Sequence, residues 1–375
     1  VSSVTREGID ELVQLLQQRA QHASTKHVDR PFRLPIDRAF IKAGFGSIVT
    51  GTAFSGELSI GDEVEIAPQG IRARVRGLQV HQRTVERVYA GQRVAINLAG
   101  VEREELERGN VVTEPGYLLP TKRIAVQLHL LHNAPRPLRD GTPIRLHVGT
   151  GEWVARILLL SGDQLEPGET AFAEVRINDA IACARFDRFV IRSYSPIHTI
   201  GGGIILEPYP LRYRRRSRDY WYSCERKAQQ DYTVTALTLL EENAMGLSLQ
   251  QLCVLLHIRP QHAREIINVL VEDNRAIELG THFYMSIRTY QQVRDELISA
   301  VKAYHTAHPL HRGIDKSMLL ARLKGVNDAD TFESLLERFE TEGVIVVDRE
   351  VVRLPEHTVE LTGHYAEIAK RMERV

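Results

Sequence analysis

From Pro31 to about Pro208, short runs rich in Val, Ile and Phe alternate with polar residues and are punctuated by glycines, the period-two pattern of antiparallel strands. Ahead of it, Ile9, Leu12, Val13, Leu15 and Leu16 recur at helical spacing and predict an amphipathic helix to about Gln21. Val1–Val4 reads as a strand end leading through a loop to Gly8, and Ala23–Arg30 is polar and unpatterned. A break at Gly116–Pro120 divides the β region into two units of about 90 residues each, which predicts two antiparallel barrels. After Pro208 the period becomes helical and the element order occurs twice. The first cycle has a helix through Thr235, Leu239 and Leu240, helices Ser248–Leu256 and Pro260–Asp273, and strands near Ile277 and Phe283. The second has helices Tyr290–His305, Asp315–Leu323 and Asp328–Glu342, then strands Val344–Val347 and Val351–Leu354. Three helices followed by a hairpin is the winged-helix order, a variant of helix-turn-helix. The fold class is therefore multidomain β plus α: two barrels, then tandem winged helices.

Length and charge narrow the reading. The 375 residues suit roughly two to four domains. They hold 48 Lys plus Arg against 48 Asp plus Glu, so nucleic acid cannot be held by bulk charge and any RNA contact must be local. No run of about 18 apolar residues and no basic-then-apolar leader occurs, which reads as a cytoplasmic chain with no membrane contact. Cys183, Cys224 and Cys253 lie far apart with no C-x-x-C spacing, so they read as packing residues rather than a disulfide framework or zinc site. His129, His132 and His147 lack a neighbouring Cys or carboxylate cluster and read as structural, so no metal is expected.

The most informative stretch is Pro35-Ile36-Asp37-Arg38-Ala39-Phe40 with Gly44, Gly46, Thr50-Gly51-Thr52, Gly56 and Gly61-Asp62. Glycines at such intervals permit the bulges and corners that close a small barrel. With Ala90–Leu98 and Arg108-Gly109, this phrase resembles the second domain of translational GTPases of the EF-Tu type. Asp37-Arg38, the phrase Asp187–Arg192, the Gly201–Gly203 triplet and the winged helices make the chain similar, within that superfamily, to selenocysteine-specific elongation factors of the SelB type. The resemblance implies a division into residues 1–22 as the end of a GTPase domain, 29–116 and 117–208 as EF-Tu-like domains II and III, and 209–223 as a basic linker. Residues 224–287 and 288–355 would be winged helices and 356–375 the start of a further one. Ser2-Ser3-Val4 resembles the last guanine-contacting motif of that GTPase domain, so the chain reads as a piece of a longer protein, cut at both ends.

By the same resemblance Asp37, Arg38 and Arg93 line an aminoacyl pocket. A selenol is more acidic than a thiol, and Arg cannot lose its charge, so Arg38 and Arg93 would face a selenolate while Asp37 orients an Arg or receives the amino group. The implied partners are selenocysteyl-tRNA, the ribosome and, through modules absent here, an mRNA hairpin downstream of a recoded UGA codon. GTP and Mg²⁺ are implied for the intact family. This chain shows no G-x-x-x-x-G-K-[ST] loop, so no cofactor and no GTP hydrolysis are expected of it alone, nor does any nucleophile elbow occur. A monomer is expected.

Arg212, Arg214, Arg215, Arg216 and Arg218, with Tyr220, Trp221 and Tyr222 behind them, combine phosphate-pairing cations with stacking aromatics. They read either as an RNA contact or as a solvated linker whose aromatics dock on the first winged helix. Arg259, His262, Arg264, Lys324 and Arg338 lie on or near the third helices, but Glu265, Glu333 and Glu337 oppose phosphate and favour a spacer role. The Gly201–Gly203 triplet precedes a strand-like phrase and reads as a turn. Two rivals stand beside the main reading: a winged-helix DNA-binding regulator with ligand-sensing barrels, and a GTPase-like enzyme with a degenerate nucleotide site.

Overall fold

The computed structural model describes residues 1–21, 29–42, 44, 46–211, 216–280, 282–323 and 329–359. They form two units, Val1–Tyr209 and Pro210–Val375.

The first unit opens with α1 (Ile9–Gln21), an amphipathic helix with no buried residue. The strand expected at Val1–Val4 is instead an exposed turn, in which the Thr5 N–H donates to Ser2 Oγ (3.1 Å) and the Ser2 N–H to the Glu7 carbonyl (3.0 Å). A serine hydroxyl that captures a nearby backbone N–H competes with strand pairing. The first barrel follows, from β1 (Arg33–Lys42), β2 (Gly46–Thr52), β3 (Glu57–Ser59), β4 (Glu63–Ala67), β5 (Ile71–Val80), β6 (Arg83–Val85), β7 (Arg87–Tyr89), β8 (Arg93–Ala99) and β9 (Val111–Thr113). The hydrogen-bonded order β4-β9-β1-β2-β8-β5 returns to β4 through the β4–β5 pair and closes the ring; β6 extends β5, and β3 pairs with β7. Alternation fills it: along β2, Ser47, Val49 and Gly51 are buried while Ile48, Thr50 and Thr52 face outward.

The second barrel comprises β10 (Thr121–Leu130), β11 (Leu138–Arg139), β12 (Pro143–Val148), β13 (Gly151–Leu159), β14 (Gln164–Leu165), β15 (Thr170–Ile181), β16 (Arg188–Ser193) and β17 (Thr199–Glu207). Its closed order is β10-β15-β13-β12-β16-β17, around a core that includes Ile124, Leu146, Ile157, Val175 and Ile191. The Gly201–Gly203 triplet is no turn: it lies inside β17, paired with β10 on one side and β16 on the other. A Cβ on Gly201, Gly202 or Gly203 would meet the carbonyls of His129 (2.5 Å), Phe189 (2.6 Å) and Gln127 (1.9 Å) respectively, so the closing strand approaches both neighbours more closely than a side chain allows.

The two barrels are held together. Arg33 donates to both carboxylate oxygens of Asp187 (2.8 and 2.9 Å), and Asp187 also accepts the Ala184 N–H (2.8 Å). Both side chains are 14% exposed, so this bidentate pair is partly shielded from solvent. Ala67 and Val111 of the first barrel cluster with Leu118, Ala182 and Ala184. The Thr150 hydroxyl donates to the Ile36 carbonyl (2.6 Å), and Arg108 Nε donates to the Thr150 carbonyl (2.7 Å).

In the second unit, α2 (Arg218–Lys227) begins within the stretch read as a basic linker. Ser217 caps it, accepting the Tyr220 N–H (3.2 Å). It packs on α3 (Tyr232–Glu242) through Lys227 and Glu242 (2.8 Å), both nearly inaccessible, with Ser223 donating to the same carboxylate. The first winged helix continues with β18 (Leu247–Ser248), α4 (Leu249–Leu256), α5 (Pro260–Glu272), β19 (Ala276–Leu279) and β20 (Phe283–Ser286), in sheet order β18-β20-β19. Ser286 ends β20 and caps α6 (Ile287–Ala307), so the two modules join without a linker. The second adds β21 (Ile314–Asp315), α7 (Lys316–Leu320), α8 (Ala329–Thr341), β22 (Val346–Asp348) and β23 (Val351–Arg353), in order β21-β23-β22. Leu279 and Met285 share one core with Tyr290, Leu297, Phe332 and Phe339. Against expectation, α7 stops at Leu320, β22 starts at Val346, and each sheet gains a two-residue strand too short to show a period.

Gly203→Ala should therefore destabilise the second barrel by about 1 to 3 kcal/mol or more, because the new Cβ meets backbone. Gly77→Ala, whose Cβ would meet only Asn97 Cβ at 3.9 Å, should be nearly neutral. Urea unfolding of both variants checks this; equal midpoints would contradict it.

Candidate functional site

The β1–β2 ladder pairs Ile36 with Gly51 and then Arg38 with Thr50, so Asp37 is an extra residue on β1. A bulge of this kind re-aims side chains and is common beside binding sites. Here it brings Asp37 together with Thr50 and Arg93: Asp37 Oδ1 accepts the Thr50 hydroxyl (2.6 Å) and Oδ2 pairs with Arg93 Nη1 (2.6 Å). The residue before the bulge is fixed by the Ile36 carbonyl, which accepts the Gly109 N–H (3.1 Å) and the Thr150 hydroxyl of the second barrel (2.6 Å).

Partial burial works against charge on Asp37, but the hydrogen bonds from Arg93 and Thr50 and the charges of Arg93 and Arg38 outweigh it and hold the carboxyl below its ordinary range. Arg93 is thus charge-matched. Arg38 is exposed, and its side chain makes no hydrogen bond or ion pair among the described residues. It lines a hollow of ≈ 610 Å³ together with Asp37, Phe40, Arg103, Glu104 and Arg108. Arg103 and Arg108 each donate to a backbone carbonyl, Leu106 (2.9 Å) and Thr150 (2.7 Å), which leaves their charge unneutralised by those bonds.

Arg108 also lines a second hollow of ≈ 600 Å³, with His147, Thr150, Glu152, Val190 and Arg192. Burial, and the charges of Arg192, Arg145 and Arg108, keep His147 below its usual pKa against the opposing pull of Glu152. Glu152 is taken up by Arg145 (2.5 Å). Arg38 lines the first hollow, Arg192 the second and Arg108 both, beside Glu104 and Glu107 in the first and Glu152 in the second.

Of the three pocket residues expected from the sequence, Asp37 is bonded to Arg93 and shares the hollow with Arg38, while Arg93 does not line that hollow. Ser2-Ser3-Val4 is not part of this arrangement; it forms the turn before α1. Arg212, Arg214 and Arg215 lie outside the described residues, as does Lys324. Arg216 and Arg218 are exposed at the start of α2, where Tyr220 is buried and Trp221 and Tyr222 are 37% and 55% exposed. Sequence reasoning missed Thr50, Arg103, Arg108 and Arg192 as site residues. Thr50 carried the one local signal, since it stands opposite Arg38 across a two-strand ladder; Arg103 and Arg108 come from the segment between β8 and β9 of the same barrel, and Arg192 depends on packing between the barrels. Among the described residues no group of three or more His, Cys, Asp or Glu could hold a metal ion. No helix among them is long and apolar enough to cross a membrane.

Residues 121–212 match the family model for the β-barrel domain of selenocysteine-specific elongation factor, 46–113 that for domain 2 of elongation factor Tu, and 298–354 that for the winged helix of elongation factor SelB. The selenocysteine-specific elongation factor of Desulfomicrobium baculatum is 32% identical over 378 residues, a match covering 100% of this chain and 59% of that protein. The factor of the same description from Escherichia coli (strain K12) is 27% identical over 355 residues, covering 93% of this chain and 54% of its own length. The chain thus spans between 54% and 59% of the length of the curated relatives it matches. The crystal structure of a bacterial selenocysteine-specific elongation factor, EF-Sec, aligns over 100% of this chain and 58% of its own, with a TM-score of 0.75 at 21% identity, a likeness of fold.

Removing Arg93 should leave the desolvation of Asp37 less opposed. In an NMR titration of the Asp37 carboxyl carbon, Arg93→Ala should raise the pKa above its native value, whereas an unchanged titration would mean that the ion pair does not set it.

Proposed function

The chain belongs to the selenocysteine-specific elongation factor family, and from that premise we propose that its first barrel holds the aminoacyl end of selenocysteyl-tRNA at the Asp37 bulge. The observation that carries this reading is the division of labour between two arginines. Arg93 is engaged by Asp37 at 2.6 Å, while Arg38 keeps an uncommitted guanidinium beside them. A selenolate is anionic at neutral pH and a serine hydroxyl is not, so a fixed cation favours the first. Arg38 supplies that cation. Asp37, kept ionised by Arg93 and Thr50, presents its remaining lone pairs to the positively charged amino group of the aminoacyl ester.

That Arg108 lines both the hollow of Arg38 and that of Arg192 supports a path for the acceptor arm across both barrels, since arginines match phosphate oxygens without reading sequence. Delivery to the ribosome at recoded UGA codons is the corresponding role of the whole protein, with an mRNA hairpin as its further partner. GTP and Mg²⁺ belong to that whole protein in this reading. The described residues do not fit them: the Ser2 hydroxyl already accepts the Thr5 N–H, and the sequence shows no phosphate loop. The relatives give the DNA-binding regulator no support, and the exposed face of α8, with Asp330, Glu333, Glu337 and Glu340, opposes entry into a groove.

Arg38→Ala should weaken binding of selenocysteyl-tRNA by about ten- to a hundredfold while hardly changing that of seryl-tRNA, as expected for a charge-assisted contact worth about 1.5 to 3 kcal/mol. Arg192→Ala should weaken both tRNAs alike and lower the salt slope by about one. Equal losses for both tRNAs in Arg38→Ala would remove this residue from the specificity pocket.

A further inference from the structure

The second winged helix separates its charges. Its third helix, α8, is acidic on the exposed side, and Arg338 there is tied to Glu342 (2.9 Å). Lys316, at the start of α7, is likewise taken up by Glu333 (2.7 Å). The opposite chemistry lies at the wing, where Arg312, Arg349, Arg353 and His357 line a hollow of ≈ 690 Å³. Asp348 and Glu350 also line it, so what distinguishes this face is the grouping of planar guanidinium forks rather than bulk charge. The hollow is preformed. His357 stacks on the buried His305 with ring centroids 3.6 Å apart and planes at 10°, and its Nε2–H donates to the His311 carbonyl (2.9 Å), which pins the segment after β23 to the end of α6.

One residue of this face occupies a conformation that its side chain disfavours. Arg349, first of the two residues linking β22 to β23, has φ 57°, in the left-handed region that residues with a Cβ seldom enter. In the first winged helix, the wing residue that follows β19 has φ 56° and is Gly280. An arginine kept where a glycine suits the backbone points to a use for its side chain.

We propose that the wing of the second winged helix binds the phosphate backbone of RNA through Arg312, Arg349 and Arg353. RNA is favoured over an anionic membrane because guanidinium forks match phosphate pairs and the patch lacks the aromatic anchors of interfacial binding. From the proposed function this takes only that the partners include RNA; the Asp37 pocket plays no part in it.

The test uses the whole chain and a fluorescein-labelled RNA duplex of arbitrary sequence, with anisotropy read over a range of KCl concentrations. Arg349→Gly relieves the backbone, so its thermal midpoint should equal or exceed that of the native chain while RNA affinity falls and the salt slope drops by about one. Arg312→Ala combined with Arg349→Gly should lower the slope by about two, and Glu337→Gln on α8 should not lower it. Native RNA affinity in Arg349→Gly, no RNA binding by the native chain, or a fall in thermal midpoint together with affinity would each overturn the proposal. So would unchanged RNA binding alongside lost binding to vesicles containing phosphatidylserine, which would assign the face to a membrane.

Discussion

The Ile36 carbonyl is the point on which the first unit turns. It accepts one bond from its own barrel, the Gly109 N–H, and one from the second barrel, the Thr150 hydroxyl. The next residue is the extra one of the bulge, so the contact that docks the barrels also sets the position from which Asp37 reaches Thr50 and Arg93. The Arg33–Asp187 pair and the cluster around Leu118 hold the same interface from other sides. A pocket built this way is preorganised by the scaffold rather than by its own exposed side chains, which in solvent contribute little by pairing alone.

Much of this arrangement was legible in the sequence because it rests on period and on glycine. Alternation marked the strands of both barrels, and the change of period after Pro208 marked the winged helices. Asp37, Arg38 and Arg93 came from a family resemblance, and nothing local distinguishes the arginine that Asp37 engages from the one it does not. That distinction arises because Arg93 lies on β8 and meets Asp37 across 56 residues of chain. Arg103, Arg108 and Arg192 were invisible for a related reason: the first two meet the Asp37 hollow from the segment between β8 and β9 of the same barrel, and Arg192 joins Arg108 only where the two barrels pack together.

The misreadings have physical causes of the same kind. Glycine is ambiguous on its own, since it serves both turns and close strand approach, and only the carbonyls of Gln127, His129 and Phe189 reveal which role Gly201–Gly203 plays. The charged composition of Arg218–Lys227 hid a helix whose inward residues are Tyr220, Ser223, Cys224 and Lys227. Its buried lysine is tolerated because Glu242 is there to meet it, a condition that the local sequence does not display.

If selection at the bulge rests on fixed positive charge, it should follow the ionisation of the side chain offered to it. The direct measurement is the affinity of the protein for cysteinyl-tRNA and selenocysteyl-tRNA across pH, because an ordinary thiol ionises near pH 8.5, well above the selenol. The account predicts that cysteinyl-tRNA binds as weakly as seryl-tRNA near neutrality and gains on both seryl-tRNA and selenocysteyl-tRNA as the thiolate forms, the loss of charge on the amino group over that range being common to all three. A gap between the two that stays constant through the ionisation of the thiol would contradict it.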